Sequence, residues 1–223
     1  MKTITEIKNI YLFNELKAET KIKVLKEIEN NILNERSDSS YVFEEVVSNI
    51  LEPLNQSSYS DLKFTYDLGN CQGDGFNIYG EFDINTFIPL WNRSDEEKEI
   101  IKLCFDCLSS PSIKLLCDDR YNYSCKFLNK QEIPDIIDEI KELMSYEEDG
   151  EYENIWKEEY QDILNNFLTD MFNYFEELDI ELEKIGYEYF YKVDEEEIHE
   201  KIQEYCYYED GTIYDDIMVY NKL

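Results

Sequence analysis

Between residues 152 and 184, apolar side chains return every three or four positions. They are Ile155, Trp156, Tyr160, Ile163, Leu164, Phe167, Leu168, Met171, Phe175, Leu178 and Leu182. A period near 3.6 belongs to an α-helix that buries one face. Interleaved with them are Glu158, Glu159, Asp162, Asp170, Glu176, Glu177, Glu181 and Glu183, which fall mostly on the other side. A long helix of this kind needs other elements to cover its apolar side. Its acidic side must stay in water. Disordered acidic chains are poor in aromatics, so this pattern marks a folded region.

The acid is concentrated in the same part of the chain. The 223 residues carry 52 Asp+Glu and 21 Lys+Arg, a formal charge of −31. Residues 1–130 hold 22 acidic and 15 basic residues, whereas residues 131–223 hold 30 and 6. Within 147–216 the count is 25 to 4. A codon bias toward glutamate would bring lysine with it, and the last 93 residues lack that lysine. Two readings stand: a functional negative surface, or unselected acidity. Either way, no basic surface is available to neutralise phosphates, so direct nucleic-acid binding is not expected. Anionic membrane surfaces would also repel the chain. No run of about 18 apolar residues is present to span a bilayer. The first residues lack a long apolar core of the signal-peptide kind, so the expected location is the cytoplasm.

The remaining elements follow from period and punctuation. Ala18 to Leu33 reads as a helix with Ile22, Leu25, Ile28, Ile32 and Leu33 at helical spacing. Its lysines, Lys17, Lys21, Lys23 and Lys26, make it the most basic element. Ser37–Ser40 reads as a loop. A second helix is expected from Phe43 to Leu54, with Phe43, Val46, Val47, Ile50 and Leu54 on one face. Leu62, Phe64, Tyr66 and Leu68 alternate, as do Phe76, Ile78, Gly80, Phe82 and Ile84. The two runs predict a β-hairpin over 62–84 around the turn Gly69–Gly75. Ser94 and Glu97 form a capping box for a helix reaching about Ser109. Ile113–Cys117 and Tyr123–Leu128 read as a second strand pair. Pro134 opens a helix to about Met144. Gly186 is expected to end the long acidic helix, and Tyr187-Tyr189-Tyr191 alternates briefly after it. Asp194 caps a last helix to about Cys206. Glu209–Thr212 is a turn, and Ile213–Tyr220 reads as a closing strand. The sum is one α+β domain over 1–223, a small antiparallel sheet packed with helices. Its acidic helical part covers about 147–216.

Few groups suited to catalysis are present. His199 is the sole histidine and reads as a surface helix residue, so histidine-based acid–base or triad chemistry has almost nothing to draw on. Cys104 and Cys107 lie within the capped helix among Ile100, Ile101, Leu103 and Leu108 and read as core thiols. With Cys117 and Cys125 they form a poor zinc pattern, because structural zinc pairs sit on a tight knuckle. Asp118 and Asp119 are a compact acidic pair beside a turn, read as solvated loop charge. Gln72-Gly73-Asp74-Gly75-Phe76 lacks the Lys-Ser/Thr of a phosphate loop and reads as a tight connection. No catalytic residue, metal site or cofactor is expected.

Three stretches resemble a widespread family of small acidic phage and prophage proteins, some labelled as antitoxins. The first is Tyr11-Leu12-Phe13-Asn14-Glu15-Leu16-Lys17-Ala18-Glu19-Thr20-Lys21. The second is Asp67 through Phe76, with its QGDG turn. The third comprises Phe172–Glu183 and Asp194–Tyr214, including Tyr207-Tyr208-Glu209-Asp210-Gly211-Thr212. Cys104, Cys107, Cys117 and Cys125 and the heavy C-terminal acidity depart from that pattern. The resemblance implies a phage origin and an accessory role without a reaction of its own. Phages use acidic proteins that imitate the phosphate array of nucleic acid to occupy host defence proteins. The expectation is therefore a non-enzymatic inhibitor of anti-CRISPR or anti-restriction type, acting in the host cytoplasm on a basic, nucleic-acid-binding partner. Its contact residues would be Glu158, Glu159, Asp162, Asp170, Glu176, Glu177, Glu181, Glu183, Glu195 and Glu196. The alternative is an antitoxin-like or regulatory module that binds one protein through apolar packing.

Overall fold

The computed structural model describes residues 9–69, 75–108, 110–117, 129–145 and 155–214. The fold is α+β, helices with small antiparallel sheets. The chain forms two compact units. One comprises residues 44–186, the other residues 1–43 with 187–223. The divisions fall inside two helices, α2 (Ser40–Leu51) and the long α6 (Glu158–Tyr191).

The 44–186 unit is built on the expected hairpin. Strands β1 (Asp61–Asp67) and β2 (Gly75–Asp83) pair antiparallel, with Phe64 opposite Ile78. Alternation buries Leu62, Phe76, Ile78 and Phe82. Gly80 stands opposite Leu62 with φ +114°. A Cβ there would lie 2.2 Å from the Asp61 carbonyl oxygen, so the close strand approach requires glycine. Strand β3 (Ser112–Leu115) joins the other edge of β2, with Ile113 opposite Phe82. β3 thus pairs with β2; the strand expected at 123–128 lies outside the described residues, as do all of 118–128. The turn residues 70–74 do so as well.

Helices cover this sheet. After the short α3 (Ile84–Phe87), Ser94 and Glu97 form the expected capping box of α4 (Asp95–Asp106). Pro134 occupies the first turn of α5 (Ile133–Met144), where its missing N–H costs nothing. The core face of α6 carries Phe167, whose ring meets Phe87, Trp91 and Phe105 at centroid distances of 5.7, 5.2 and 5.9 Å. Phe175 meets Phe82 edge-on at 4.8 Å, tying the helix to the sheet.

In the other unit, α1 (Ala18–Asp38) packs against α7 (Glu195–Glu204). Their seam buries Val24, Ile28, Ile32, Ile202 and Tyr207. A small hairpin, β4 (Cys206–Tyr207) and β5 (Ile213–Tyr214), turns at Gly211 with φ +91°. Tyr11 and Tyr207 exchange backbone hydrogen bonds of 2.8 Å in each direction, which ties the N-terminal segment to that hairpin.

Several expected boundaries moved. The loop expected at Ser37–Ser40 shrinks to Ser39, because α1 runs to Asp38 and α2 starts at Ser40. The buried stripe of α1 is Val24, Ile28 and Ile32, while Ile22 and Leu25 face solvent. Val46 of α2 is also exposed. Pro53 cannot donate a hydrogen bond and disfavours α geometry just before it. Accordingly α2 stops at Leu51, and a 3₁₀ turn, η2 (Glu52–Asn55), follows. Cys206 belongs to β4 and not to α7, and α7 ends at Glu204.

The clearest correction concerns Gly186. It does not end α6; the helix continues to Tyr191 with Gly186 buried. Tyr189 and Phe190 both pack on Phe43, at 5.9 and 5.4 Å. Arg36 supplies the stop that glycine was expected to give. Its Nη1 donates to the carbonyls of Tyr189 (2.8 Å) and Lys192 (2.6 Å), and Nη2 pairs with Glu197. A guanidinium at a helix C-terminus meets both the orphan carbonyls and the negative end of the dipole.

Candidate acidic interaction face

The residues of α6 that sequence singled out occupy one side of it. At about 100° per residue, the eight acids from Glu158 to Glu183 fall in an arc of about 160°. Tyr160, Leu164, Phe167, Leu168, Met171, Phe172, Phe175, Asp179, Leu182 and Gly186 are buried on the opposite arc. The acidic stretch rises about 38 Å along the axis. The pairs Glu158–Asp162 and Glu177–Glu181 are i,i+4 neighbours, separated by a rise of about 6 Å.

Three of the eight are held by cations from the same unit. Lys141 Nζ stands 4.0 Å from Glu158, Arg93 Nη2 3.5 Å from Asp170, and Lys130 Nζ 2.6 Å from Glu176. Asp170 is held further, because Trp91 Nε1 donates to its Oδ2 at 2.9 Å. It is half-buried, and its first duty is to fix the Trp91 ring against Phe167. Among the described residues, Glu159, Asp162, Glu177, Glu181 and Glu183 make no salt bridge. All but Glu183 are exposed. Their field is felt at Tyr174, where burial first and the Glu181 charge second push the phenol pKa up.

Glu195 and Glu196 belong to the other unit. They are exposed in the first turn of α7, where Asp194 accepts the N–H of Glu197 at 2.8 Å. Carboxylates there sit favourably at the positive end of the helix dipole, so capping accounts for their positions without a partner.

One acid escaped the sequence reading because it looks like its neighbours. Asp179 lies on the core face of α6, 4% exposed, and its Oδ1 accepts the N–H of Ile78 at 2.8 Å. β3 pairs β2 only from Gly80 to Asp83, so this N–H finds no strand partner there. A carboxylate completes the sheet instead. The only signal in the sequence is its phase: Asp179 falls between Phe175 and Leu182 on the apolar stripe.

Of the described cysteines only Cys104 is a core residue; Cys107, Cys117 and Cys206 are half-buried. Cys104 is fully buried, and burial first pushes its thiol up to about 12. Cys107 Sγ donates to the Cys104 carbonyl at 2.8 Å. Among the described residues no group of three or more His, Cys, Asp or Glu side chains could hold a metal ion. Cys125, Asp118 and Asp119 lie outside them. His199 is exposed on α7, as expected, with Nε2 2.7 Å from Gln203 Nε2. Among the described residues no helix is long and apolar enough to cross a membrane.

No family model, no curated protein and no solved structure matches this chain.

Proposed function

We propose that the protein is a phage-encoded, non-enzymatic inhibitor. It occupies the basic groove of a host nucleic-acid-binding defence protein, of CRISPR or restriction type, through the acidic arc of α6. The observation that carries this reading is a long helix with acids on one side, five of the eight making no salt bridge among the described residues. Keeping such like charges together works against folding, since they repel and only salt screens them. An i,i+4 rise of about 6 Å is of the same order as the phosphate spacing along a nucleic-acid strand. A basic groove would exchange the counter-ions of its cations for carboxylates.

Capture of partners from host-cell lysate on the tagged full chain tests the reading. The expected catch is a nucleic-acid-binding protein. It should be released by salt and displaced by duplex DNA or RNA. It should also be lost when Glu159, Asp162, Glu177 and Glu181 are changed to Lys. A partner held equally by the charge-reversed protein, at any salt, overturns it. That outcome selects the antitoxin-like module. Exposed Ile10, Leu12, Ile22 and Leu25 favour this second reading.

A further inference from the structure

We draw no further inference here: the strongest candidate, the 360 Å³ groove between α2 and η2 on one side and the edge strand β1 on the other, lined by Leu51, Asn55, Lys63 and Phe64 among others, carries nothing because nothing in the structure shows what covers it.

Discussion

Single residues carry several of the structural decisions. Arg36 binds the carbonyls of Tyr189 in α6 and of Lys192 just beyond it, and one carboxylate, and its guanidinium lies 5.3 Å from the Tyr189 ring. Arg36→Ala leaves those carbonyls to water and is expected to destabilise the protein by about 1–3 kcal/mol. Urea unfolding monitored by circular dichroism measures this, and an unchanged midpoint would show that the cap contributes nothing. Asp179→Ala strands the Ile78 N–H in a buried position and should cost about 1–3 kcal/mol. Asp179→Asn, which keeps an acceptor oxygen, should recover part of it. Cys104 titrates far above an ordinary thiol, so at pH 8 it is protonated and inert in the folded state. Thiol reagents should therefore modify Cys104 only on unfolding. An unfolded chain releases this proton near 9.0, whereas the folded one holds it to about 12, so its contribution to stability falls as pH rises through that window.

At the scale of elements, capping and packing compete, and packing wins where the two disagree. The box at Ser94 was legible because capping chemistry is local: Ser94 Oγ accepts the Glu97 N–H at 3.2 Å, and Glu97 Oε2 accepts the Ser94 N–H at 3.1 Å. Ser94→Ala should lower stability by about 1 kcal/mol, read as a shifted denaturation midpoint with an unchanged slope. Gly186 shows the reverse case. Its local preference is to stop a helix, at about 1 kcal/mol relative to alanine. The rings of Tyr189 and Phe190 on Phe43 hold the helix beyond it. The hairpin of β1 and β2 was readable from alternation. The partner of β3 was not, since β3 is short and its choice of neighbour depends on which edge of β2 is open.

At the scale of the whole molecule, a charge of −31 sets conditions on stability. Repulsion among exposed carboxylates is screened over about 8–10 Å at physiological salt. The melting temperature should therefore rise as sodium chloride is raised from low concentration. Glu177→Lys with Glu181→Lys should reduce that salt dependence. A melting temperature that is flat or falls with salt would mean that repulsion on α6 is not a significant cost. The same charge makes association with a basic partner fast and salt-sensitive.

The amino-acid sequence by itself determined the fold class, the hairpin, the capped helices and the two sides of α6. Each of these rests on period or on local hydrogen-bonding chemistry, which a linear string contains. Only the tertiary structure decided which acids are committed. Asp170 fixes Trp91, Glu176 meets Lys130, Asp179 completes a strand edge, and Glu159, Asp162, Glu177 and Glu181 stay exposed. It also decided that Ile22 and Leu25 stay wet while Val24 and Ile28 are buried. These outcomes depend on which side chain from a distant segment arrives within about 3–4 Å. A carboxylate on a helix looks the same in sequence whichever partner finds it, and apolar spacing alone does not say which stripe is covered.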